Sequence, residues 1–399
     1  MPSVSPEVLR WARDTAGLSP DDAARKLGIK SSLKASASQK IEALETGEVQ
    51  PSVSLLRRMA KQYRRPLVSF YLAKPPARGE RGEDFRTLPE GEHKKTDPLV
   101  EALLRDIKAR QDMVRSLLLE EEDTKPLSFV ASCVTTDGPS TVADKIVQDM
   151  GFELTKFRSR TSVDQSFTYL RELAERRGVF VVLAGNLGTH HTSIEVEAFR
   201  GFALADEVAP FVLINDQDAR SAWSFTLLHE LAHIWLGRTG VSGERIETQV
   251  ERFCSDVASS ILLPDIETFD FGASETLDQR VELIGQFANA RKISASMVCY
   301  RLHLSGRISA GEWRLISSRF RELWLQSREQ TREKARQSES GPNYYVVRRH
   351  RLGDALLNVV GRYVSEGTLT PTKAGKVLGV KARSVAPLLN ITNPRPRAA

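Results

Sequence analysis

The sequence predicts a mainly α-helical protein with one small β-sheet, an α+β chain. Three observations point there. Apolar residues recur at helical spacing through most of the 399 residues. Only three runs, Val179–Leu183, Glu197–Leu204 and Phe211–Ile214, read as strands. Stretches rich in Pro, Gly, Ser and charge interrupt the chain at 73–97 and at 337–342, and divide it into separate segments.

Residues 6–17 and 20–28 read as two short helices, with Asp21 and Asp22 at the positive end of the second. Gly17 and Gly28 fall at C-terminal stops. A polar segment, Lys30–Ser38, precedes a helical run from Gln39 to Gly47. A fourth helix starts after Ser52 and reaches about Tyr63, and a fifth covers Leu67–Leu72. Together they form a compact all-helical domain over 1–75, followed by a linker over 76–97. A helical connector, 98–138, opens with an amphipathic helix carried by Leu99, Leu103, Ile107, Val114 and Leu117. Helices at 139–150 and 163–177 and the three strands then lead to a helix from about Asp218 to Gly237. A second long helix spans 244–262 and stops at Pro264, and further helices close the domain 139–337. The tail, 343–399, carries one helix from Tyr344 to Tyr363 and two shorter ones near 371–378 and 383–389. Thr370 suits the N-cap of the first of these, with Pro371 at its first helical position. No sequence repeat and no low-complexity tract stands out.

The net charge of +6 is unevenly spread. Residues 1–75 hold 13 Lys/Arg against 7 Asp/Glu, and residues 343–399 hold 10 against 2, so the middle is net acidic. Basic ends point to a polyanion, most simply DNA. The alternative is that these cations only keep solvated faces soluble. No apolar run approaches bilayer length, so no membrane partner is expected. The N-terminus lacks the basic and apolar regions of a signal peptide. Three scattered cysteines, Cys133, Cys254 and Cys299, form neither a metal-type pair nor a disulfide framework, which fits a reducing cytoplasm.

His229, Glu230 and His233 form the pattern His-Glu-x-x-His inside an apolar helix bearing Leu227, Leu228, Leu231, Ile234 and Trp235. Residues four apart share a helix face, so the two imidazoles can meet one metal ion, with Glu230 in reach of the attacking water. That is the zinc-peptidase arrangement. Two histidines and a glutamate on a buried helix need partners, and a metal supplies them. Catalytic zinc takes three protein ligands, so a third must come from elsewhere. Of Glu244, Glu247, Glu251 and Asp256, the best placed is Glu251, at the edge of an apolar face formed by Phe253, Val257, Ala258 and Ile261. Glu247 is the runner-up. Glu230 is the expected general base. His303, Tyr300 and Arg291 are candidate donors to the developing oxyanion. His190 and His191 read as solvated loop residues, and Cys254 as a small buried one.

From about Pro139 to Pro264 the chain resembles the ImmA/IrrE-type metallopeptidases. The likeness rests on Phe199-Arg-Gly-Phe202, Val212–Asn215, Phe225–His233, and Glu251 with Cys254 and Ala258 ahead of Leu263-Pro264. It implies zinc held by His229, His233 and Glu251, with Glu230 catalytic. The family usually has Asn where this chain has Ser255. The N-terminus resembles an XRE-type helix-turn-helix domain through Leu9–Arg13, Ala23, Leu27-Gly28, Ile41, Leu44, Gly47, Pro51 and Tyr63–Pro66. In such domains the third helix enters the major groove. Here that is about Ser36–Leu44, which would bring Ser36, Ser38, Gln39 and Lys40 near bases or phosphates. The Ser/Lys-rich loop before it is longer than a tight turn, and such folds also dock proteins. Asp84–Pro89 and the tail residues Gly353, Tyr363, Leu369 and Leu378–Val380 resemble further segments of the same fusions.

Relatives of this type cut a helix-turn-helix repressor or antitoxin and so release a stress or mobile-element operon. The expectation is therefore a cytoplasmic regulatory zinc metallo-endopeptidase with such a substrate, docked through its N-terminal domain on double-stranded DNA or a protein. A peptide held as an added strand along Phe211–Asn215 is a further expectation. The rival readings are a DNA-binding regulator with an inactive peptidase domain and an antitoxin-like binder.

Overall fold

A computed structural model describes residues 4–76, 97–188, 192–242, 249–271, 276–337 and 343–390. The chain divides into two compact units, residues 1–106 with 189–194, and residues 107–188 with 195–399. The fold class is the expected one, with helices around a single small sheet among the described residues.

The first unit contains α1 (Pro6–Asp14), α2 (Pro20–Leu27), α3 (Ala37–Glu45), α4 (Val53–Gln62) and a 3-10 turn at Leu67–Tyr71. Leu9, Ala23, Leu27, Ile41, Leu56 and Phe70 face one another in its core. Each of α2, α3 and α4 begins at a serine, Ser19, Ser36 or Ser52, whose hydroxyl accepts a backbone N–H that the first turn leaves orphaned. Arg13 and Glu45 form a buried, two-bonded ion pair at 2.7 and 2.8 Å that ties α1 to α3. The helix α5 (Asp97–Leu119) follows, and the expected linker residues 77–96 lie outside the described ones.

The second unit adds α6 (Pro139–Met150), α7 (Leu154–Arg158), α8 (Val163–Arg176), the strands β1 (Phe180–Leu183), β2 (Gly201–Leu204) and β3 (Phe211–Ile214), and α9 (Arg220–Trp235). After these come β4 (Gly240–Ser242), α10 (Gln249–Leu262), α11 (Leu277–Ala290), α12 (Ala295–Leu304) and α13 (Ala310–Gln337). The tail holds α14 (Tyr344–Leu352), α15 (Asp354–Ser365), α16 (Pro371–Val377) and α17 (Val385–Asn390). The first three strands are apolar and buried along their whole length, as strands covered on both faces must be.

Three expectations change here. The sheet has four strands in the order β1-β3-β2-β4, so β3 is internal, parallel to β1 and antiparallel to β2. Both its edges are paired, and no peptide can add to Phe211–Ile214; the outer strands are β1 and β4. The expected helix from Tyr344 to Tyr363 is broken at Gly353, whose φ of +79° and ψ of 157° no helix can continue. The short α7 and β4 were not legible, because five- and three-residue elements leave too little periodicity to read.

The helix α9 lies against β2 and β3, and also packs on α6, α8 and α10. Nearly all of its side chains from Ala222 to Trp235 are buried, because neighbours surround it. No helix among the described residues is long and apolar enough to cross a membrane.

Candidate metal centre

Two helices build the centre. His229 and His233 stand one turn apart on α9, and Glu251 reaches across from the first turn of α10. His229 Nε2 and His233 Nε2 are 3.2 Å apart. Glu251 Oε2 lies 3.1 Å from His229 Nε2, and its Oε1 lies 3.2 Å from His233 Nε2. One ligand atom from each residue falls within 4.8 Å of the others. Four donors around a tetrahedral zinc, at bond lengths of about 2.0–2.1 Å, are about 3.3 Å from one another. The spacing of the three groups therefore fits that ion, and leaves one of its four positions to a substrate or water. The donor chemistry agrees, since two imidazoles and one carboxylate form a known catalytic set.

The electrostatics leave the Glu251 carboxyl ionised and the His229 ring neutral. Burial lowers the pKa of His229 and so keeps its ring neutral, although Glu251 pulls the other way. Burial by itself would raise the Glu251 carboxyl. Hydrogen bonds from His229 and His233 outweigh it and hold Glu251 at about 2, so it is ionised. Cys254 is fully buried, and burial, reinforced by the negative charges of Glu251 and Glu230, pushes its thiol up. It stays protonated and behaves as a small apolar residue.

Glu230 is fully buried beside β2. A Cβ on Gly201 would lie 2.8 Å from Glu230 Oε1 and 2.7 Å from Thr226 Cγ2. Only glycine at that point of β2 lets the strand run so close to the helix. The local pattern of Phe199-Arg-Gly-Phe202 carries no sign of this role, which depends on a helix that packs on the strand from elsewhere in the chain. Ser255 is the second residue whose part emerges only in space. Its hydroxyl sits 3.3 Å from His229 Nδ1, the nitrogen facing away from the centre. Its position four residues past Glu251 was the available signal.

The candidate oxyanion donors have other partners. Arg291 is bound to Asp265 at 2.8 Å, His303 stacks flat on Trp313, and the ring of Tyr300 also meets Trp313. Glu247, the runner-up ligand, and Glu244 lie outside the described residues, as do His190 and His191.

Ser36, Ser38, Gln39 and Lys40 stand together at the start of α3, with local tasks. Ser36 and Gln39 form a reciprocal capping box, with bonds of 3.1 and 2.7 Å. Ser38 Oγ is 3.1 Å from Ser36 Oγ, and Lys40 Nζ donates to the Lys30 carbonyl at 2.7 Å.

Residues 166–303 match the family model described as the IrrE N-terminal-like domain, Peptidase_M78. This segment is thus similar to a metallopeptidase domain. It runs from within α8 to within α12 and holds Gly201, His229, Glu230, His233, Glu251 and Ser255. Residues before 166 and after 303 lie outside the Peptidase_M78 match. No curated protein and no solved structure matches the chain.

Proposed function

We propose that the protein is a zinc-dependent metallo-endopeptidase. The observation that carries this reading is the set of buried His229 and His233 with partly buried Glu251, drawn to within 4.8 Å on a segment similar to a peptidase. Zinc held by these groups supplies Lewis acidity to the scissile carbonyl. Glu230 takes a proton from the attacking water and passes it to the leaving amine. Glu251 is ionised and His229 neutral at neutral pH, the charge states in which a carboxylate and an imidazole can serve as ligands. The proposed substrate is a helix-turn-helix repressor or antitoxin in the cytoplasm, on the resemblance of the motifs to ImmA/IrrE-type peptidases. The all-helical first unit is proposed to dock DNA or a protein partner.

The deciding experiment is metal analysis of the purified protein together with a Glu230→Gln variant, assayed against helix-turn-helix proteins encoded beside it. The expected result is about one zinc per chain in both proteins, and cleavage lowered by about 10²–10⁴-fold in the variant. A purified chain that takes up no zinc at neutral pH overturns the proposal. A second reading, a regulator whose peptidase domain does not cut, is favoured by Ser255 standing where the family usually carries Asn. It predicts that zinc binds and that the unaltered protein leaves every candidate intact.

A further inference from the structure

The chain contains an internal repeat, visible once its two copies are set side by side in the structure. Leu18-Ser19-Pro20, Ala23-Ala24 and Leu27-Gly28-Ile29 recur at the same spacing as Leu369-Thr370-Pro371, Ala374-Gly375 and Leu378-Gly379-Val380. A pair of buried apolar residues three apart then follows each, Ile41 with Leu44 and Val385 with Leu388. The pair comes twelve residues after Ile29 but only five after Val380. The difference is the Ser/Lys-rich loop of the first copy, so the second has the tighter turn.

The two copies also share their backbone devices. Ser19 caps α2 by accepting the Asp22 N–H at 3.1 Å, and Thr370 caps α16 by accepting that of Lys373 at 3.4 Å. Gly28 and Gly379 both end their helix with positive φ, at 66° and 60°. The next residue folds back identically: Ile29 N–H to Ala24 O at 2.9 Å, Val380 N–H to Gly375 O at 2.8 Å. An arginine from another helix donates to the carbonyl before each glycine, Arg58 to Leu27 O at 2.6 Å and Arg348 to Leu378 O at 2.8 Å. In the second copy an added Cβ on Gly375 would lie 2.8 Å from Val380 O and 3.2 Å from Ala382 N. That glycine lets the segment after the turn lie tightly on α16.

The copies differ in charge. Residues 19–48 carry five acidic and five basic side chains, whereas 367–390 carry Lys373, Lys376, Lys381 and Arg383 and no acid. All four cations are exposed. The exposed positions after the turn are otherwise small or apolar, Ala382, Ala386 and Pro387, and offer few groups to read base edges.

We propose that residues 370–390 are a second helix-turn-helix, and that its exposed cations bind the phosphate backbone of duplex DNA with little sequence preference. Docking of the tail on a protein would instead leave duplex binding absent. Four phosphate contacts set the slope of log K against log salt near −3.6, by about −0.9 per contact.

The test is fluorescence anisotropy of the full-length protein with a labelled duplex of about 30 base pairs, titrated at several salt concentrations. Lys381→Glu with Arg383→Glu should weaken binding at least about tenfold and make the slope shallower by about 2. A second double variant, Lys373→Glu with Lys376→Glu, is expected to do the same and covers failure of the first to fold. The control reverses two exposed cations outside the tail, Lys145→Glu with Arg176→Glu, and should lose much less. The proposal is overturned if the parent binds no duplex, if the tail variants bind as it does, or if the control loses as much as they do.

Discussion

Ser255 stands one turn beyond Glu251 on α10, and its hydroxyl lies 3.3 Å from His229 Nδ1. A ring nitrogen that faces a metal binds best when its other nitrogen is held by an oxygen, which fixes both the tautomer and the ring plane. Phe225 lies against the same ring. Ser255 is therefore placed to orient His229. Ser255→Ala should weaken zinc binding about tenfold, read by competition with a coloured chelator. Zinc affinity equal to that of the parent protein would remove Ser255 from the site.

At the scale of elements, three helices meet at one carboxylate. Asp265, just past the end of α10, accepts from Arg158 at the end of α7 at 2.6 Å and from Arg291 after α11 at 2.8 Å. Arg158 also donates to the Leu262 carbonyl at 3.0 Å, and the Arg291 guanidinium lies 3.5 Å over the Phe287 ring. Partial burial would raise the Asp265 carboxyl, but hydrogen bonds from Arg158 and Arg291 hold it at about 2. A free aspartate titrates at about 3.9. The folded value is depressed, so this linkage stabilises the fold above about pH 4 and fades as the pH falls toward 2. Asp265→Asn should therefore unfold more readily than the parent at pH 6. The gap in denaturant midpoint should close between pH 4 and pH 2. A gap of constant size across that range would mean that charge at Asp265 contributes nothing.

Across the whole second unit, the tail is a layer of the structure rather than an appendage. Glu175 of α8 accepts the Asp354 and Ala355 N–H groups at 3.1 and 3.2 Å, and so closes the N-terminal end of α15 with a negative charge. Arg171 joins Glu175 at 3.0 Å and donates to the carbonyls of Val181 on β1 and His350 on α14. Arg351 pairs with Asp216 at 2.7 Å, and Tyr363 donates to Leu117 O on α5 at 2.7 Å. Gly353 is where these groups converge. A Cβ there would come under 3.0 Å from Glu175, Arg171 and the Val181 carbonyl, on a backbone already at φ +79°. Gly353→Ala should cost at least about 2 kcal/mol of stability, because it separates a buried charge pair from its partners. Urea unfolding of the full chain, followed by tryptophan fluorescence, measures it; an unshifted midpoint would show that the clasp is slack.

Much of this was legible one turn at a time. Helical period put His229 and His233 on one face, Thr370 with Pro371 marked where α16 begins, and the β-rich run at Val179–Leu183 announced β1. Each of these depends on residues within about four positions of one another, so the local chain carries the information. Packing decided the rest. It seated Glu251 against both imidazoles, put β3 inside the sheet, broke the tail helix at Gly353 and brought Ser255 behind His229. Those outcomes depend on surfaces that meet only after the chain has folded back on itself, and a side chain's local pattern does not say which distant neighbour it will find.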